Sequence, residues 1–385
     1  MGITWQQLID KATELRHQLH QSPELSWEET NTAQLIQEQL TLADIQWRAC
    51  ASTGTVATLA AQTKGKHIAL RADIDALPIL EATDLPWKSQ TPGCMHACGH
   101  DGHIATLFAA IWWLKLREAD LPGPVSLIFQ PAEEGGHGAK QMIAEGALEG
   151  IDEIYGWHNW PAIPFGQATC PDGPVMAANA VFSITVTGKG GHSSQPDQCR
   201  DPVLAAAAMT LNLQQIVNRL LAPQQAAVVS LTSIDAKSAA TVVPEQVHMA
   251  GSVRVADSAL IQTVGDYLQS IVHDTAKAYQ VRAQIDYTPC YGATVNHDRQ
   301  ALNFRQALTQ ELGEHGLSEA FPVPIMASED FSYYLNEVPG AFALIGSGDD
   351  NGHDFPCHSS HYDFNDQLIP VVARLFTLLA GAPLP

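Results

Sequence analysis

Gly93-Cys94-Met95-His96-Ala97-Cys98-Gly99-His100-Asp101-Gly102-His103 gathers two thiols, three imidazoles and a carboxylate into one turn-rich segment. Thiolate and imidazole suit zinc, cobalt, nickel and similar divalent ions, and the glycines let the backbone bend closely around one. The stretch therefore reads as the heart of a metal site, held against a core by the helix-like run Ile104 to Leu116. A loop merely rich in Cys and His is the plainer reading. A closed zinc knuckle fits less well, because Cys50, Cys170, Cys199, Cys290 and Cys357 show no second hairpin spacing.

Working outward, Thr55 to Ala61 and His67 to Ala72 read as strands, the second running into Asp73-Ile74-Asp75-Ala76-Leu77-Pro78. Acidic residues just past a strand end sit where open α/β sheets place their ligand crevice, so Asp73 or Asp75 is expected to face the site; solvated turn aspartates are the alternative. On the other side, Val125 to Gln130 is a short apolar strand leading into Pro131-Ala132-Glu133-Glu134-Gly135-Gly136-His137-Gly138. One of the two carboxylates can ligate a metal while its neighbour serves as general base, unless both belong to a solvated acidic turn. His137 is either part of this site or a loop residue between glycines. A helix is expected near Gln141 to Glu145, then a strand over Ile151 to Tyr155. His158, in Gly156-Trp157-His158-Asn159-Trp160-Pro161, is expected at the end of that strand as a ligand rather than as an ordinary buried imidazole.

Apolar spacing predicts helices over Trp5 to His20 and Glu28 to Leu42. From about Ala180 the pattern changes: strand Ala180 to Thr187, helix Pro202 to Leu221, strands Ala227 to Ser233 and Glu245 to Val255, helix Ser258 to Tyr279, strand Val281 to Tyr287. That βαββαβ order predicts a ferredoxin-like α+β layer. Its notable residues are His192, in the glycine-rich turn Gly188-Lys189-Gly190-Gly191-His192, and Arg254, able to grip a carboxylate with two hydrogen bonds. Helix Arg299 to Leu312, Ala327-Ser328-Glu329-Asp330-Phe331-Ser332 with an N-cap-like serine, strand Phe342 to Gly346 and helix Asp366 to Leu379 resume the α/β pattern. The expected division is residues 1–179 and 291–385 for one α/β domain, with 180–290 inserted.

A length of 385 residues fits two domains, and 45% hydrophobic residues describe a globular chain. A formal net charge of −21 argues against nucleic-acid partners. Met1-Gly2-Ile3-Thr4-Trp5 shows no secretory signal, no apolar run reaches membrane-spanning length, and seven irregularly spaced cysteines suit reduced thiols, so a cytoplasmic protein is expected.

In this joint order, the motifs resemble the aminoacylase and carboxypeptidase G superfamily of dinuclear-metal peptidases, in the branch of hippurate hydrolases, auxin-conjugate hydrolases and N-acyl-amino-acid amidohydrolases. They run from Arg16-His17 and Pro23-Glu24-Leu25 through Arg71 to Pro78, Met95 to His103, Gln130 to Glu134, Gly188 to His192 and Glu329 to Ser332, closing at His358 to Asp366. The resemblance implies a zinc-peptidase-like mixed-sheet catalytic domain with an inserted ferredoxin-like lid and dimerisation domain. It implies two divalent ions (manganese, zinc, cobalt or nickel) held by Cys98, His100, Glu134, His158 and His358, with Cys98 bridging and His361 a rival of His358. Glu133 would be the general base acting on a metal-held water. Asp75 would support catalysis by orienting an imidazole, with Cys94, His96 and His103 also supporting. His192 would donate to the oxyanion across a homodimer, and Arg254 would bind the substrate carboxylate. The implied reaction is hydrolysis of a small N-acyl amino acid. A dipeptidase or carboxypeptidase of the same fold and a non-catalytic metal-binding homologue are the competitors. Thr241-Val242-Val243-Pro244 departs from the branch, which often carries Asn there, and Trp157 and Trp160 either enlarge or block an acyl pocket.

Overall fold

The apolar runs Ile68–Asp73 and Val125–Gln130 are buried along almost their whole length, as strands covered on both faces must be. In the computed structural model, which describes residues 3–318 and 320–385, they pair in parallel from Ile68 opposite Val125 to Asp73 opposite Gln130. Met1 and Gly2 of the amino-terminal stretch read above lie outside the described residues, as does Glu319.

The chain divides into two compact units: Met1–Val175, Val295–Val323 and Asp330–Pro385 form the first, and Met176–Thr294 with Pro324–Glu329 the second. Among the described residues, the main sheet of the first unit has seven strands. They run in the order Trp47–Cys50, Gly54–Leu59, Val125–Gln130, Ile68–Asp73, Glu153–Pro164, Gly340–Gly348 and Ala168–Thr169. The middle four are mutually parallel, and the outer pairings are antiparallel.

One irregularity opens the sheet. Ile68–Asp73 pairs with Glu153–Pro164 as far as Leu70 opposite Tyr155, whereas the same long strand stays paired with Gly340–Gly348 past Trp160. Two parallel strands therefore part at their carboxyl ends, which is where such sheets hold ligands. His158 consequently stands inside a twelve-residue strand rather than at the end of a short one, because the ladder to Gly340–Gly348 carries the strand onward.

Helix His100–Leu116 is buried on every face from His100 through Leu114. A helix apolar all round belongs in a core, and this one packs against the sheet and against helices Trp5–Gln21 and Leu368–Leu379. At Gly102 a Cβ would run into the Phe364 ring, so glycine is what lets that ring close over the start of the helix.

The second unit has, among its described residues, a four-stranded antiparallel sheet in the order Ala227–Asp235, Gln246–Val255, Ala178–Thr187, Arg282–Pro289. Helices Pro202–Leu213 and Leu260–Ala278 bury their apolar residues on it, giving the ferredoxin-like arrangement. The helix expected to reach Leu221 stops at Leu213, and Ile216–Leu220 winds separately in a wider turn. The expected serine cap is also absent: helix Ser332–Glu337 starts after Phe331 without a side-chain cap, and the Ser328 hydroxyl instead accepts from Arg254 at 2.6 Å.

Replacing Gly102 with Ala forces Phe364 aside and is expected to cost about 1–3 kcal/mol, read as a lowered urea midpoint. Adding Phe364→Leu should recover part of that loss. Equal, additive losses would place the two residues in separate environments.

Candidate metal centre

Several chain segments meet where the parallel strands part. The first follows strand Ile68–Asp73: mutual hydrogen bonds between the backbones of Leu77 and Met95, both 3.0 Å, zip it to the Cys/His stretch. Asp75 is thereby brought under His100, whose Nδ1 lies 2.9 Å from the Asp75 carbonyl oxygen and 3.2 Å from its carboxylate. That contact holds the proton on Nδ1 and turns the Nε2 lone pair inward, the tautomer a metal ligand needs. Ser26 Oγ and Glu134 N donate to the other Asp75 oxygen at 2.7 and 3.0 Å.

The second segment is the turn after Gln130. Ala132 has φ +52° and Gly135 φ +87°, and the buried Glu29 carboxylate fixes this bend: Oε1 accepts from Ala132 N at 2.9 Å and Oε2 from Thr53 Oγ1 at 2.6 Å. The Asp330 N–H donates to Glu133 Oε1 at 3.2 Å. Asp330 itself accepts from Arg71 at 3.2 Å, Gln130 at 2.8 Å and the Ala139 N–H at 2.9 Å. Adjacent carboxylates thus have separate anchors.

His158 and the loop after Gly340–Gly348 supply the rest. His158 Nδ1 donates to the Asn159 carbonyl at 2.6 Å, and its Nε2 lies 3.3 Å from Cys98 Sγ. Burial, helped by His103 and His100, holds the His158 imidazole well below its ordinary pKa, so it is neutral. His358, with φ +69°, points Nε2 to within 3.1 Å of Glu134 Oε1. His361 turns elsewhere, onto the Phe355 ring and Ser360.

The donor atoms fall into overlapping groups, each within 4.8 Å: Cys98, His100 and His158; Cys98, Glu134 and His358; His100, Glu133 and Glu134. Cys98 is common to the first two. The chemistry of this set fits divalent cations. His100 Nε2 is buried with no hydrogen-bond partner among the described residues, and the Cys98 thiol is pushed well up by its hydrogen bond to Cys357, by burial and by Glu134. Burial acts to lower the His100 pKa, yet the carboxylates of Asp73, Asp75 and Glu134 outweigh it and raise it to about 10. The same carboxylates attract a metal cation at that nitrogen.

His103 stands behind the site, with Nδ1 2.6 Å from Asp73 and Nε2 2.7 Å from the Asn159 side chain. Burial lowers the His96 pKa to about 4 and raises that of Cys94 to about 11. His137 hydrogen-bonds Tyr333 at 3.0 Å and belongs to none of these donor groups. Trp157 is a core residue against His103 and Phe364, not the wall of a pocket. His192 and Arg254 lie in the second unit, on an exposed two-residue strand and on strand Gln246–Val255. Glu29, Asn159 and Cys357 escaped sequence reading. Arg71 and Asp330 were visible only as motif letters, although an arginine inside an apolar strand is a signal in itself.

Residues 69–381 match the family described as peptidase family M20/M25/M40. The chain is 36% identical over 379 residues to an IAA-amino acid hydrolase of Arabidopsis thaliana, spanning 97% of this chain and 85% of the relative. It is 36% identical over 369 residues to the hippurate hydrolase of Campylobacter jejuni, spanning 95% and 94%. A Bacillus subtilis structure described as a dinuclear metal binding peptidase from the M20 family superposes with TM-score 0.82 at 31% identity, covering 97% of this chain and 98% of that one.

Asp75→Ala removes the acceptor that holds the His100 tautomer and should weaken metal binding about 10–100-fold, measured by titrating metal into chelator-stripped protein. Unchanged affinity would show that the Asp75 carbonyl suffices.

Proposed function

The chain belongs to peptidase family M20/M25/M40, and from that premise we propose that it is a metal-dependent amidohydrolase that cleaves small N-acyl amino acids into a carboxylic acid and a free amino acid. The relatives named for IAA-amino acids and hippurate support this, since both are amides between an acyl group and an amino acid. The observation that carries the reading is Cys98 standing in two donor trios at once, with Glu133 beside Glu134 and His100.

Cys98, His100 and His158 would hold one divalent ion, and Cys98, Glu134 and His358 a second; manganese, zinc, cobalt and nickel all suit such donors. When bound, these ions polarise an amide carbonyl and bring the pKa of water toward neutrality. Glu133, steadied by the Asp330 N–H, takes a proton from the attacking water on its carboxylate and passes it to the leaving nitrogen. Arg254, its NH1 donating to Ser328, pairs with the substrate's carboxylate, and His192 donates to the developing oxyanion from a partner subunit.

A homodimer formed through the second unit accords with its surface. Ala227–Asp235 is a sheet-edge strand carrying exposed Val228 and Ile234, and helix Pro202–Leu213 exposes Leu204 and Leu211. Edges and apolar faces of this kind are covered by a second copy in many two-fold assemblies. The cysteines in the structure are free thiols, which suits a cytoplasmic enzyme. No helix among the described residues is long and apolar enough to cross a membrane.

Chelator-stripped protein reloaded with each metal should release amine from N-acetyl, N-benzoyl or longer N-acyl amino acids. Turnover of dipeptides alone would replace this reading with a peptidase. Glu133→Gln should keep its metal while kcat falls roughly 10²–10⁴-fold; unchanged turnover would remove Glu133 from the reaction.

Leu204→Lys combined with Leu211→Lys should halve the mass measured by light scattering while the far-ultraviolet spectrum is kept. A wild-type protein of monomer mass would dismiss the dimer.

A further inference from the structure

Cys357 has no part in the hydrolysis just described, yet it sits against the shared donor. The His358 N–H donates to the Ala97 carbonyl at 2.7 Å, which clamps the Cys357-His358 peptide beside Ala97-Cys98. The Cys357 sulfur also accepts from Asn159 Nδ2 at 3.8 Å, and Asn159 directly follows His158, whose Nε2 lies 3.3 Å from Cys98 Sγ. Cys98 is buried, whereas Cys357 is half-buried and lies next to the exposed His358. A small oxidant therefore reaches Cys357 first, with a second thiol already waiting behind it.

We propose that Cys98 and Cys357 form a dithiol that hydroperoxides convert to a disulfide, a modification that takes the shared donor away from metal. The Cys357 sulfur attacks one peroxide oxygen. The O–O bond breaks, the thiol proton leaves with the departing oxygen as water, and a sulfenic acid remains. The Cys98 sulfur then attacks the Cys357 sulfur. The S–O bond breaks, and the Cys98 proton leaves with that hydroxyl as a second water. Two thiols are oxidised and one hydrogen peroxide is reduced to two waters. The bond from the His358 N–H to the Ala97 carbonyl keeps the two cysteines on adjoining backbone segments, the placement a disulfide between them requires.

The effect on metal rests on the reading of Cys98 as a ligand; the disulfide chemistry does not. Metal-free wild-type protein is treated with hydrogen peroxide, digested without reductant and mapped by mass spectrometry, and metal binding is titrated on the intact protein in parallel. The expected result is a peptide pair joined through Cys98 and Cys357, two free thiols fewer, and metal affinity at least tenfold weaker, all restored by dithiothreitol. Prior loading with manganese should slow the cross-link several-fold. Cys357→Ser and Cys357→Val should bind metal as wild type does and resist the peroxide-induced loss; mapping of the wild-type protein decides the matter should both variants fail to fold. Absence of the 98–357 peptide, or cross-links through other cysteines, overturns the dithiol. A 98–357 disulfide that leaves metal binding intact establishes the modification and overturns Cys98 as a ligand.

Discussion

Too much negative charge in too little water is the condition to which the strand ends of the first unit answer. Asp73, Asp75 and Glu133 are all buried, with Glu134 beside them. Carboxylates removed from solvent at such spacing are tolerated only when cations or hydrogen-bond donors compensate them. Arg71 compensates Asp73 and Asp330, and the Glu134 N–H and Ser26 compensate Asp75. Glu133 accepts from the Asp330 N–H and Glu134 lies against His358, and both stand in donor groups that also hold His100 or Cys98.

The same economy explains how two neighbouring glutamates take different surroundings. A left-handed residue at Ala132 is unfavourable for a side chain bearing a Cβ, and it persists because the Glu29 carboxylate, itself held by Thr53, accepts from the Ala132 N–H while the Gly138 N–H donates to the Ala132 carbonyl. Past that bend Glu133 faces the Asp330 amide and Glu134 faces His358. Glu29 touches none of the donor atoms, yet the direction of both carboxylates depends on it.

Much of this was readable in the residues, for definable reasons. The strands near 68–73 and 125–130 announce themselves as apolar runs, and the Cys/His and Glu/Glu turns as unusual chemistry at their ends. Glu29, Asn159 and Asp330 were not readable, because they act through amides 103 or 197 residues away or through a carbonyl that any residue possesses. His158 looked like a strand end because its aromatic neighbours mask a ladder whose partner lies at Gly340–Gly348, far along the chain. His358 and His361 are alike in composition, and it is the left-handed backbone at His358 and the bond from its N–H to the Ala97 carbonyl that distinguish it, neither of which is written in the sequence.

The donor trios also differ in how far apart their members lie along the chain. Cys98, His100 and His158 all precede residue 176, where the second unit begins, whereas His358 follows that unit's last segment. Yet His158 lies beyond Tyr155, where the ladder to Ile68–Asp73 has ended, and is paired with Leu344. Even the trio that is early in sequence therefore waits for a strand from the far end of the chain, and docking of Gly340–Gly348 is the event on which the geometry of the whole donor set depends.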